Sequence, residues 1–501
     1  MSQPLPDLLQ VKPLNRPMNQ VYTTEILRPV TFSQHGARFI ISPNGIWSAE
    51  SSQLIMRLVV DNVASGLYGY PSSTGACALI KRAYLEIGGR RVSSLNEVGH
   101  YLTFRRLHYS PDYKTQVMRP KQSGNDTFFG SGPAALPIQP SALDGGWGSI
   151  GRPPNSHTSA DVAGLNSVEA KRYLLGPTAD VGTTEMLVVD ADQLTCEVSI
   201  NVGQQLIPML RGLQLPVFAI KEQIALVVEF SQDVVGLDCG GGHRFVRDVD
   251  EGTTSTLSTI DQNSFVLASD HLMYPDAMES IAQVVQSPEG YNVTFDEVID
   301  AVVNENGGGV PDVQLNFSHQ LGLGGKLVKS IVVQQQSDMG GTGENAYMGQ
   351  YHSDALSNAS TYNFTVDSVP FYAMDIENPS LKYTEVSHVD RVPLQSPMSQ
   401  YALHPNQTSD TGVRELALSG FTQREYKGSS QATIDGGSQH WTGVDFTNAA
   451  GEGRRMTNMP VLLNRSYVPH DSEEDNVLVC RTFTTTQRIA HLKNGLVQIV
   501  E

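Results

Sequence analysis

Thirteen histidines are the first place to look for chemistry in this 501-residue chain. A metal site of the kind some β-barrels carry needs two histidines close together on one strand, a carboxylate and a more distant histidine. No H-x-H pair occurs, so the sequence does not support that arrangement. His243 follows three glycines in GGGH (240–243) and reads as part of a loop. GLGGKLVKS (322–330) has the outline of a phosphate-binding loop, in which glycines let backbone amides approach a phosphate. It fails twice: Gln320 occupies the first required glycine, and Leu327 stands where serine or threonine should follow the lysine. No G-x-S-x-G elbow is present. The cysteines (Cys77, Cys196, Cys239, Cys480) form no CxxC pair and carry no local nucleophile signature. Nothing singles out one pair among the 52 acidic residues for glycosidic chemistry. The expectation is a non-enzyme with no catalytic residue, metal ligand or cofactor.

The charge distribution carries one asymmetry. The chain is acidic overall, with a formal net charge of −18, yet basic residues dominate from Lys81 to Lys121. Arg90, Arg91, Arg105, Arg106, Lys114, Arg119 and Lys121 are the candidates for a basic patch. The competing reading is ion pairing inside the chain or between subunits. The overall acidity disfavours direct binding to nucleic acid across the whole surface and suits solubility at high concentration. Widely spaced cysteines in apolar patterns argue for folding without a disulfide or zinc framework. The N-terminus MSQPLPDLLQVKPLNRP lacks a basic flank followed by an apolar core, so it reads as an extended arm rather than a secretory signal. Sequons at Asn125, Asn358, Asn363 and Asn406 read as chance occurrences.

The elements that would position these residues are strands. From Leu79 to Ile87 the odd positions are mostly apolar, which predicts a strand with one buried face. Gly88-Gly89 then predicts a turn. Leu95, Val98, Tyr101 and Leu102 recur at helical spacing, with Ser93 or Ser94 as the expected N-cap. Thr195 to Val202 alternates cleanly, and Ile224 to Phe230 (IALVVEF) is apolar throughout, as expected of a strand covered on both faces. Val313, Leu315 and Phe317 alternate with Gln314, Asn316 and Ser318 as in a strand; Leu327 to Val333, Tyr362 to Val366, Val477 to Thr486 and Leu496 to Val500 are further strands, and Asp276 to Val285 is the best other helix. Long polar connections at 120–159, 233–262, 337–360 and 422–458 separate them. Short strands carrying large loop excursions favour a jelly roll over a meander or propeller. The Gly-rich stretch 304–311 predicts a linker, giving an arm (1–25), a first domain (26–303) and a second (312–501).

Several of these segments, in this order, resemble the double jelly-roll major capsid proteins of double-stranded DNA viruses, of the nucleocytoplasmic large DNA virus, polinton-like virus and virophage type. AYLEIGGRRV (83–92) is similar to that family's strand and Ile-Gly-Gly turn. LIPMLRGLQLPVFAIKEQIALVVEF (206–230) resembles its Leu-Pro corner and the long apolar strand that follows. SFVLASDHLMYPDAMESI (264–281), DVQLNFSHQLGLGGKLVKSIVVQQQ (312–336) and MSQYALHPNQTSDTG (398–412) are similar to later segments. The resemblance implies an all-β chain of two jelly-roll barrels side by side, with long loop insertions and a few short helices. It implies a structural role: homotrimeric, pseudo-hexagonal capsomers tiling an icosahedral shell in the virion, assembled inside the infected cell. Its partners would be copies of itself, neighbouring capsomers, penton and minor capsid proteins and an inner membrane, without sequence-specific nucleic acid binding. The basic patch would then face either inward or a neighbouring subunit. The alternative function is a spike, fibre or carbohydrate-binding β-protein.

Overall fold

Alternating and uniformly apolar runs become strands throughout a computed structural model of the chain. It describes residues 21–33, 35–61, 67–71, 77, 79–106, 171–175, 189–190, 193–231, 247–248, 258–306, 313–337, 361–377, 385–386, 389, 441–457, 460–467 and 477–500. In chain order the first strands are β1 (Val21–Leu27), β2 (Thr31–Ser33), β3 (Gly36–Ile40), β4 (Ile46–Asp61), β5 (Leu67–Pro71), β6 (Ile80–Ile87) and β7 (Arg90–Asn96), followed by helix α1 (Val98–Arg106). Next come β8 (Lys171–Leu175), β9 (Val189–Asp190), β10 (Gln193–Asn201), β11 (Gln214–Leu215), β12 (Ile224–Phe230), β13 (Arg247–Asp248), β14 (Ser258–Ile260) and β15 (Val266–Met273). Helix α2 (Pro275–Gln286) leads to β16 (Tyr291–Asn306), β17 (Leu315–Leu321), β18 (Leu327–Ser337), β19 (Thr361–Val366) and β20 (Val369–Pro370). The chain closes with β21 (Thr442–Asp445), β22 (Arg454–Arg455), β23 (Val461–Tyr467), β24 (Val477–Lys493) and β25 (Leu496–Val500).

The strand order repeats. The first sandwich pairs a sheet running β1-β15-β4-β10 with one running β3-β12-β6-β7. The second pairs β16-β24-β18-β21 with β17-β23-β19-β20. In each, the outer and inner strands of the chain order alternate between two facing antiparallel sheets, which is the jelly-roll path. The architecture is therefore all-β, with two jelly-roll barrels side by side. The prediction for Ile224–Phe230 is met: β12 lies between β3 and β6 and is buried on both faces. Among the described residues no helix is long and apolar enough to cross a membrane.

Three details depart from expectation. Ser93 and Ser94 are not a helix cap. They pair with Leu85 and Tyr84 inside β7, and α1 starts only after Glu97, which has φ 50° and whose carbonyl accepts from the Tyr101 amide at 3.0 Å. The polar stretch 422–458 contains two strands, β21 and β22, the first preceded by the fully buried Trp441. The expected end of the first domain at residue 303 cuts through β16, which pairs from Tyr291 to Asn306 with β24 in the second barrel. Its pairing begins at Tyr291, with four residues between it and the end of α2. The segment 398–412, the loops at 120–159 and 337–360 (beyond Ser337) and the first 20 residues of the arm lie outside the described residues.

Candidate functional site at the seam between the barrels

The two barrels share a core. One buried cluster extends from the first sandwich into the second, joining Tyr101, Leu102 and Phe104 to Val332, Trp441 and Phe483. A separate cluster, including Val328, Ile331, Val333, Phe364, Leu463 and Cys480, fills the second barrel. Consecutive residues of β18 thus face different cores: Ile331 and Val333 point into their own barrel, Val332 into the seam. That explains an unbroken apolar run where period-two alternation would otherwise be expected. Helix α1 supplies the first barrel's side of the contact. Its Tyr101 ring lies 5.5 Å from Phe483 and its Phe104 ring 5.2 Å from Trp441, in tilted geometries. Tilted aromatic pairs add about 0.5–1.5 kcal/mol beyond the area they bury.

Polar contacts fix the register of this seam. The edge strands β7 and β16 meet without pairing as a ladder. Instead the Glu297 carboxylate of β16 accepts from the Ser94 amide at 2.8 Å and from the Ser93 hydroxyl at 2.6 Å. Asn96 donates to Asp300 at 2.6 Å one turn of the pleat further on. A side chain therefore satisfies a strand edge that could otherwise recruit a foreign strand. At the other end, Arg90 donates to the Glu222 carboxylate and to the Val497 carbonyl, each at 3.0 Å, and Glu222 accepts from the Val497 amide at 3.0 Å. The two turns that meet there need glycine. Gly88 has φ +61° with Glu222 against it, and Gly495 has φ +86° with the Lys221 stem against it, so a Cβ at either position would collide.

Burial sets the protonation of two seam groups. The Glu297 carboxyl is pushed up from 4.5 to about 7, chiefly by desolvation, against the opposing Ser93 and Ser94 hydrogen bonds and the positive charge of Arg488. His100 on α1 is held well below 6.5 by burial and by the charge of Arg481, partly offset by a hydrogen bond with Gln334. The sign of the Glu297 effect follows directly. A carboxyl whose folded pKa exceeds its unfolded value favours folding while protonated, so its contribution is complete below about pH 4.5 and lost as pH rises through about 7. The interval corresponds to roughly 3 kcal/mol. Glu297→Gln is therefore expected to flatten the fall in stability between pH 5 and pH 8, as read from urea unfolding at several pH values. Equal pH slopes in variant and parent would rule this out.

Arg90 is taken up in the seam as described, and Arg91 stacks on the Tyr84 ring at 4.0 Å. Arg105 is buried on α1. Arg106 ends the helix with its side chain outside the described set, as are Lys114, Arg119 and Lys121 entirely. The described members lie on the edge strand β7 and on helix α1. Asn363 is buried in β19, bonded to Tyr372 and Asp375. Cys77 and Cys480 are both buried. Among the described residues no group of three or more His, Cys, Asp or Glu side chains comes together as a metal site. Sequence reasoning missed Glu297 and Trp441. Each lies in an ordinary-looking segment, and only its cross-barrel neighbour gives it a role.

Comparison with known structures places this geometry. A chain of the Sputnik virophage, solved by cryo-EM, superposes with a TM-score of 0.54 at 8% identity, over 99% of this chain and 92% of that one. VP54 of the virus PBCV-1, fitted into a Sputnik reconstruction, gives 0.51 at 9% identity, over 97% and 98%. The fold is that of the double jelly-roll major capsid proteins. At these identities the likeness is one of fold. No protein-family model and no curated protein matches the sequence.

Proposed function

We propose that this chain is a non-enzymatic major capsid protein of a double-stranded DNA virus, resident in the virion. Three copies form a capsomer with a hexagonal outline, and capsomers tile an icosahedral shell. The observation that carries this reading is the seam: two jelly rolls joined by one continuous buried core behave as a single block with two equivalent units. Three such blocks present six barrels, which fill a plane by hexagonal packing. A net charge of −18 keeps free subunits soluble before assembly. The partners that follow are copies of this chain and neighbouring capsomers, then penton and minor capsid proteins and an inner membrane. No cofactor takes part.

The test is the mass of the purified protein in solution. Light scattering after size exclusion is expected to give three times 54.5 kDa, with hexagonal outlines in negative stain. A stable monomer at high concentration would overturn the capsomer reading.

A further inference from the structure

We propose that the Glu297 carboxyl is a proton-operated latch on the contact between β7 and β16. Protonated, it holds the flanks of the two barrels together; ionised, it lets that contact open while each barrel stays folded. The inference concerns a single chain and holds whatever its oligomeric state.

The geometry serves both protonation states. Oε2 of Glu297 lies 2.6 Å from the Ser93 hydroxyl, and Oε1 lies 2.8 Å from the Ser94 amide. A hydroxyl can donate or accept, so a proton on Oε2 is donated to the Ser93 oxygen once that hydroxyl rotates. Oε1 meanwhile goes on accepting from Ser94, and the carboxyl is neutral and bonded at both oxygens. Without the proton the same two donors remain, but a full charge then sits on a residue only 5% exposed. Such a charge gains by reaching water, and parting the two strands is the way to reach it.

One cation bears on that charge, Arg488 of β24. The other charged groups on the surrounding elements have contacts of their own. On β24, Arg481 acts on His100, His491 bonds to Asn292 and Lys493 donates to the Pro288 carbonyl. On β7, Arg90 holds Glu222 and Arg91 covers the Tyr84 ring. Arg211, just after the turn Pro208–Leu210, lies over the Tyr101 ring, and His319 of β17 contacts Glu305. On β16 itself Asp296 pairs with Lys329, and Asp300 accepts from Asn96. Asp276 and Glu279 of α2 are exposed.

Opening stays local because the two strands share no ladder. Among the described residues they are joined by the bonds of Glu297 and by the one from Asn96 to Asp300. The rings of Tyr101, Phe104, Trp441 and Phe483 hold the barrels by packing instead, and that contact survives a change of charge at the edge.

The experiment is hydrogen exchange of the full-length protein, read by mass spectrometry at pH 5 and pH 8.5 and corrected for intrinsic rates. Peptides covering 90–96 and 291–306 are expected to lose protection by roughly seventyfold, since the rise in Glu297 from 4.5 to about 7 is released on opening. The loss should level off above about pH 7. Peptide 224–230, in the middle of the first barrel, should keep its protection. Glu297→Gln retains an acceptor for Ser94 and a donor for Ser93 without a titrating proton, so its seam peptides should be equally protected at both pH values. Seam protection independent of pH in the parent, or the same loss in Glu297→Gln, would overturn the latch. So would an equal loss in 224–230, which would mean that the whole chain opens at once. Should Glu297→Gln fail to fold, Arg488→Met gives a second reading. Removing the opposing cation is expected to deepen the loss and carry it to higher pH before it levels off, and an unchanged profile would count against the proposal.

Discussion

Arg465→Ala is expected to destabilise the protein by about 3–5 kcal/mol, the largest effect of any single substitution outside the seam. Arg465 on β23 donates to the Glu305 Oε1 of β16 at 2.9 Å, and His319 on β17 contacts the same oxygen. Glu305 and Arg465 are both buried. The cluster ties the two sheets of the second barrel together, since β16 belongs to one and β17 and β23 to the other. Removing the guanidinium leaves a carboxylate out of water with its main cation gone, and that desolvation is what costs so much. The double variant Glu305→Leu with Arg465→Met separates charge from packing. It is expected to recover most of the loss, because an apolar pair of similar volume needs no compensation in a dry interior. Urea unfolding reads both. A loss under about 1 kcal/mol for Arg465→Ala would show that the pair contributes little.

Trp441→Ala is expected to cost about 3–5 kcal/mol and to uncouple the barrels. The indole is fully buried between Phe104 of α1, at 5.2 Å, and Phe483 of β24, at 6.4 Å. Deleting it removes transfer free energy and leaves a cavity where the first barrel's helix meets the second barrel's sheet. Phe104→Ala attacks the same contact from the other side. Because the rings touch, the double variant should lose less than the sum of the single losses, by about 0.5–1.5 kcal/mol. The sharper readout is cooperativity. With the seam intact, unfolding should be a single transition, whereas in Trp441→Ala the barrels should melt separately in calorimetry. One unchanged transition with a small loss would show that the seam is held elsewhere.

Both expectations concern residues that the amino-acid pattern alone does not single out, and the contrast with what it does reveal is instructive. The strands Ile224–Phe230 and Leu496–Val500 are legible residue for residue, and Thr361–Val366 to within one. Period two and uniform apolarity report directly how many faces of a strand are covered. The Gly88-Gly89 turn is legible because only glycine takes positive φ without strain. Ser93 and Ser94 misled because a serine before a helical pattern suits a cap equally well. Its actual partner, Glu297, lies more than 200 residues away.

Composition and local pattern determined that this chain would be all-β, with glycine turns and no marked catalytic constellation. The order of the family-like segments pointed further, to paired jelly rolls. Only the tertiary structure decided that β16 joins the second barrel, that Val332, Trp441 and Phe483 belong to a core shared with α1, and that a buried carboxylate closes the edge of β7. The reason is physical. Hydrophobic patterning states that a face must be covered, but the covering surface comes from whichever distant strand the sandwich brings alongside. In a jelly roll, many sheet neighbours are far apart in the chain, so their pairing is a property of the assembled sheets and not of any local run of residues.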